Sequence, residues 1–268
     1  MKRAHEIDFK LFGDDMQFVE ITLDGGESVV AEAGAMMYME NGIEMDAVFG
    51  DGSDRESKKG FMDKAIGAGK RVLTGESLFM TVFTNKSYDR KVLAFAAPYP
   101  GKIIPLDLAD RGGQIIAQRD AFLCAAKGIQ IEIAFQKNIG VGLFGGEGFI
   151  MQKLLGDGLT FLHAGGTIIE KELAPGEIMK LDTGCLVAMT STINYNVEMV
   201  GNIKSAFFGG EGLFLATLKG PGHVWLQSIP FSRLANRIYS AASKSGSKAK
   251  GERSIIGGIG IGDLFGRD

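Results

Sequence analysis

Cysteine, proline, histidine and tryptophan are all scarce in this chain, and each scarcity closes a route to function. The 268 residues hold two cysteines, six prolines, three histidines and one tryptophan. Cys124 and Cys185 are too few for a disulfide framework. Both fall in apolar, strand-like runs, where a thiol is expected to be buried and inert. His5, His163 and His223 include no pair spaced two residues apart. The His-x-His pair by which many cupin-type barrels grip a metal is therefore missing, and structural or surface histidines are expected instead. No G-x-S-x-G nucleophile elbow occurs either.

Long apolar runs are also absent. Residues 92–106 come nearest, but Pro98, Pro100, Gly101, Lys102 and Pro105 interrupt them. A membrane helix needs about 20 apolar residues. Residues 1–8 run straight into charged side chains, without the apolar stretch of about 7–15 residues that a secretory signal requires. The expectation is a soluble cytoplasmic protein. A net charge of −3 and a pI near 5.7 argue against a nucleic-acid binder, which shows a basic domain.

Glycine is abundant instead: 39 residues, about twice the usual ~7%, with no Gly-X-Y period. Some of it recurs in a pattern. Phe144-Gly145-Gly146-Glu147-Gly148 returns as Phe208-Gly209-Gly210-Glu211-Gly212, 64 residues on, and nine of the nineteen positions from 144 to 162 are identical at that offset. Phe161 is exchanged for Trp225. A third copy is more diverged: Val29-Val30-Ala31 meets Ile115-Ile116-Ala117 at offset 86, and Gly75-Glu76-Ser77 meets Gly146-Glu147-Gly148 at offset 71. The difference of 15 is an insertion within residues 50–70. The units expected are 20–100, 105–164 and 170–228, within one body over 1–230.

Ile131, Ile133 and Phe135 alternate with mostly polar neighbours, as do Tyr195, Val197 and Met199, and Met45, Ala47 and Phe49. A two-residue period places each set on one face of a strand. Glycines between such runs supply turns. The fold expected is all-β, a mostly antiparallel sandwich of double-stranded β-helix type. Two segments depart from it. Residues 58–66 in the insertion suit one or two helical turns. After Pro230, Phe231, Leu234, Ala235 and Ile238 fall on one helical face, with Arg233, Asn236 and Arg237 opposite. The remainder of 231–268 reads as a Gly/Lys-rich tail, loose over 240–253.

Residues 18–21 and 31–39 (Phe-Val-Glu-Ile, then Ala-Glu-Ala-Gly-Ala-Met-Met-Tyr-Met), residues 73–79 (Leu-Thr-Gly-Glu-Ser-Leu-Phe) and both Phe-Gly-Gly-Glu-Gly copies resemble bacterial relatives of the mitochondrial biogenesis proteins known in yeast through altered inheritance of mitochondria. The resemblance spans residues 5–240. It implies an all-β fold of the trp RNA-binding attenuation protein type, with duplicated sheets, and a homo-oligomer for which a trimer is the size suggested. It brings neither an activity nor catalytic residues, and the fold's name is no evidence for RNA or tryptophan binding.

Gly140-Val141-Gly142-Leu143-Phe144-Gly145 matches G-x-G-x-x-G, but no helix follows to receive a pyrophosphate, and the sister copy replaces Gly140 and Gly142 with Lys204 and Ala206. It reads as a turn. Glu76, Glu147 and Glu211 occupy one place in three copies. They form either a ring of acids for a cation or amine, or carboxylates accepting backbone N–H bonds at a bulge, which is the preferred role. Residues 233–253 hold six Lys/Arg against one Glu, a charge of +5 that leaves −8 for the rest. Arg233, Arg237, Lys244, Lys248 and Lys250 are therefore candidate contacts to an acidic partner or anionic membrane, although the preferred role is that the helix's apolar face packs on the β core and the lysines keep the tail soluble. No cofactor, metal or nucleic acid is expected. The function expected is a non-catalytic assembly or interaction protein, and the alternative is a ligand binder or enzyme with a pocket between repeats or subunits.

Overall fold

The computed structural model describes residues 3–49, 79–137, 149–199 and 214–245. It divides into two units, Met1–Ser232 and Arg233–Asp268. The first is all-β, and every pairing between its described strands is antiparallel.

The described strands fall into three sets of six, preceded by β1 (Asp8–Phe12). The first set is β2 (Phe18–Leu23), β3 (Ser28–Glu32), β4 (Met36–Met39), β5 (Ile43–Phe49), β6 (Phe79–Asn85) and β7 (Lys91–Ala96). The second is β8 (Gly101–Asp107), β9 (Gln114–Gln118), β10 (Phe122–Ala126), β11 (Gln130–Lys137), β12 (Phe149–Leu155) and β13 (Leu159–Gly165). The third is β14 (Ile168–Leu173), β15 (Ile178–Asp182), β16 (Leu186–Thr190), β17 (Asn194–Met199), β18 (Phe214–Lys219) and β19 (Gly222–Gln227).

Within each set the sixth strand pairs with the first and third, and the fifth with the second and fourth. Across sets, β3 pairs with β10 and β9 with β16. Four sheets result, in the orders β1-β2-β7-β4, β5-β6-β3-β10-β13-β8, β11-β12-β9-β16-β19-β14 and β15-β18-β17.

Local sequence explains the burial. In β2 the residues Val19, Ile21 and Leu23 point inward and are fully buried, while their neighbours are half-exposed. In β10 and β16 every residue is buried, because these strands are covered on both faces, and their sequences are continuous apolar or small runs. Phe161 and Trp225, on equivalent strands, are both buried.

Some expectations change. In β17 Val197 is buried and Tyr195 half-buried, but Met45 in β5 and Ile133 in β11 are exposed. A register shift between Ile133 and Phe135 breaks the simple alternation there. Cys124 is buried, and burial pushes its thiol well up. Cys185 lies instead in a 3-10 turn, Thr183–Cys185, and is half-buried. The C-terminal helix α1 runs Phe231–Ser245, so residues 240–245 are helical rather than loose. Ala241, Ala242 and Lys244 are good helix formers and carry it on. Among the described residues no helix is long and apolar enough to cross a membrane. The insertion helix expected over 58–66 and the glycine motif at 140–145 lie outside the described residues.

Candidate functional site

Buried polar side chains in this protein mostly hold backbone. Asn85 uses its whole amide: Nδ2 donates to the Leu23 and Asp89 carbonyls at 3.0 and 2.8 Å, and Oδ1 accepts from Ser87 N and Oγ at 2.9 and 2.7 Å. Groups satisfied in this way are structural.

One cluster differs. Tyr99 sits between Pro98 and Pro100 in the link from β7 to β8, Glu32 ends β3, Arg119 and Asp120 lie on the 3-10 turn after β9, and His163 is in β13. His163 Nε2 donates to the Tyr99 carbonyl at 3.1 Å, and the two rings meet edge to face with centroids 4.2 Å apart. Burial takes the imidazole down to about 4, so it is neutral at pH 7, and the backbone hydrogen bond only partly opposes this. Its Nδ1 is buried with no hydrogen-bond partner among the described residues. Phe231 also packs against the Tyr99 ring, 5.0 Å between centroids. Burial, helped by the negative charges of Asp120 and Glu32, pushes the phenol up to about 12.

Glu32 is the titrating member. Desolvation, then repulsion from Asp120, pushes it up to about 7, against the pull of Arg119. The residue as a whole is exposed rather than buried. Arg119 Nε and Nη2 both reach Asp120 Oδ1 at 3.3 Å. The cluster can therefore exchange one proton near neutrality, at Glu32, and presents one unsatisfied acceptor, at His163. No residue in it is an activated nucleophile.

The other histidines have structural partners. His5 Nδ1 accepts the Ser28 N–H at 2.9 Å, fastening the N-terminal segment to β3, and burial lowers its pKa. His223 Nδ1 lies 2.9 Å from Glu170 Oε1, which Arg111 also reaches at 3.2 Å while its guanidinium lies over the Trp225 ring. Among the described residues no group of three or more His, Cys, Asp or Glu could hold a metal ion.

Glu76, Glu147 and Glu211 lie outside the described residues, as do Lys248 and Lys250. Two other glutamates play the part preferred for the first three. Glu27 Oε2 accepts the Asp24 N–H and Glu177 Oε2 the Ala174 N–H, both at 2.8 Å, each closing a turn next to a glycine with φ +89° or +80°. On α1, Arg233 and Arg237 are exposed one turn apart, near the exposed Ile238 and Tyr239, and Lys244 lies in the last turn.

Sequence reasoning missed the Tyr99 cluster because its members come from four separate segments. The Pro98-Tyr99-Pro100 triplet was the available signal, since two prolines fix the backbone around one aromatic. It also missed β4, where Met36, Met37, Tyr38 and Met39 are all exposed, although Tyr38 Oη donates to Glu20.

A family model described as mitochondrial biogenesis AIM24 matches residues 9–229. An uncharacterised protein of Streptococcus pyogenes serotype M6 is 31% identical over 230 residues, covering 83% of this chain and 86% of that one. The X-ray structure of another Streptococcus pyogenes protein superposes with a TM-score of 0.70 at 25% identity, over 88% of this chain and 100% of that one. The match runs from β1 past β19 and carries the sheet architecture with it, so the chain belongs to the mitochondrial biogenesis AIM24 family.

Proposed function

We propose that this protein is a non-catalytic cytoplasmic assembly module, a homo-oligomer built from three copies of one six-strand unit. The observation that supports it is β4: four consecutive large apolar residues stand exposed on a strand at a sheet edge. Single exposed apolar side chains are ordinary, but a contiguous apolar strand edge is a pairing surface. The resemblance to the family suggests a trimer. Multi-angle light scattering across a concentration series tests this. A fixed multiple of the chain mass is expected, and a monomer at all concentrations overturns it.

A second reading rests on the Tyr99 cluster: a small-ligand or enzymatic site between strand sets, with His163 Nδ1 and Glu32 as its polar groups. A thermal-shift screen of metabolites, repeated on His163→Gln, separates the two. A shift with one chemical class, lost in the variant, favours the ligand. Helix α1 also suits an acidic partner or anionic membrane, through Arg233 and Arg237 beside Ile238 and Tyr239. Liposome co-sedimentation with and without residues 231–268 tests that role, and equal binding by both forms removes it.

A further inference from the structure

Among the described strands, the junction that joins one strand set to the next is made twice and left unmade once. In the first, Ala31, Val30 and Val29 of β3 stand opposite Cys124, Ala125 and Ala126 of β10. In the second, Ala117, Ile116 and Ile115 of β9 stand opposite Ala188, Met189 and Thr190 of β16. All twelve residues are at most 8% exposed. Both junctions pair the second strand of one set with the third strand of the next. One strand of each kind is left over: β15 has only β18 beside it, and β4 only β7, among the described strands.

The register of the missing junction can be read from the other two. Each third strand carries the same register shift against its sixth strand, between Met36 and Tyr38, between Phe122 and Cys124, and between Leu186 and Ala188. Met39 therefore corresponds to Ala125 and Met189. In the second strands Val30 faces Val82, Ile116 faces Lys153 and Lys180 faces Thr217, which makes Lys180 the counterpart of Val30 and Ile116. Since Val30 faces Ala125 and Ile116 faces Met189, Lys180 belongs opposite Met39, and Leu181 opposite Tyr38.

We propose that β15 of one copy pairs antiparallel with β4 of a second copy in this register, joining the three-stranded and four-stranded sheets into one of seven strands. The proposal rests on the assembly function above and names its interface. A second copy is the occupant because the two edges lie in separate sheets of the folded chain and do not pair with each other. The edges also remain open where their counterparts are sealed: Tyr38 is 39% exposed and Met39 37%, and on β15 Lys180 is exposed while Met179 and Leu181 are half-buried. An open edge is normally guarded by charge or proline, and the Met-Met-Tyr-Met strand has neither. The contact is head-to-tail, since each copy offers one β4 and one β15, so every β4 and β15 edge is satisfied only when the assembly closes into a ring.

Cysteine cross-linking tests it in the full chain with Cys185→Ser, leaving buried Cys124 in place. Met39→Cys protein is mixed with Lys180→Cys protein and oxidised. The facing positions should form a disulfide-linked dimer roughly tenfold faster than the off-register mixture of Met37→Cys with Lys180→Cys, because the bond tolerates only a narrow Cα separation. Equal rates overturn the pairing, as does a dimer of Met39→Cys with itself. A chain carrying both cysteines that cross-links internally as a monomer also overturns it. Light scattering on the unmodified protein separates the two proposals. A defined oligomer without the in-register cross-link removes this interface and keeps the assembly function, whereas a monomer removes both.

Discussion

Gln227, the last residue of β19, clamps Gly165, the last residue of β13: its Oε1 accepts the Gly165 N–H at 2.8 Å, and its Nε2 donates to the Gly184 carbonyl, also at 2.8 Å. The amide is buried, and it ties the end of the second strand set to the 3-10 turn of the third.

Replacing Gln227 by Leu keeps the volume and orphans both backbone groups. Each buried orphan costs about 1–3 kcal/mol. The Gln227→Leu variant is expected to lose about 2–5 kcal/mol in urea unfolding, with the slope unchanged.

His163 makes stability depend on pH. Folded, it titrates at about 4 against an ordinary 6.5, so the unfolded chain takes up a proton that the folded chain refuses. Its contribution is complete above pH 6.5 and is lost as pH falls towards 4, on the order of 3 kcal/mol. His163→Gln should flatten that limb of a stability-pH curve, and an unchanged limb would contradict the buried neutral imidazole.

Glu32 works in the opposite sense. Its folded value of about 7 lies above the ordinary 4.5, so ionising it penalises the folded state at high pH, and the penalty disappears as pH falls through 7 to 4.5. Glu32→Gln should raise Tm at pH 8 and leave it unchanged at pH 4.5. Over pH 4.5–6.5 the two groups oppose each other, so this variant should also lose stability more steeply on acidification than the parent protein.

Two glycines should respond differently to alanine. At Gly101 a Cβ would lie 1.9 Å from the Ala164 carbonyl oxygen, inside the β8–β13 pairing. At Gly176 it would meet nothing within 4 Å, leaving only the strain of φ +80°. Gly176→Ala is expected to cost about 1–2 kcal/mol, whereas Gly101→Ala must move backbone and should cost more or prevent folding. Thermal melts of both variants check the order.

Much of the strand pattern was legible because the signals are local or strictly periodic. The offset of 64 carries Ile131 and Leu154 onto Tyr195 and Leu218, and both are facing pairs in the structure. The offsets 86 and 71 likewise carry Val30 and Val82 onto Ile116 and Lys153. The exposure of Met45 was not legible, since alternation says which side chains share a face but not whether that face is covered.

By itself, the order of residues determined that this chain forms antiparallel strands with glycine-bearing turns and a C-terminal helix, because period and turn chemistry act between near neighbours. Tertiary structure alone decided that Tyr99 meets His163, that Glu32 feels the negative charge of Asp120, and that β4 and β15 are left as open edges among the described strands. Those outcomes depend on which distant strands lie side by side, and burial, charge and edge status arise only once they do.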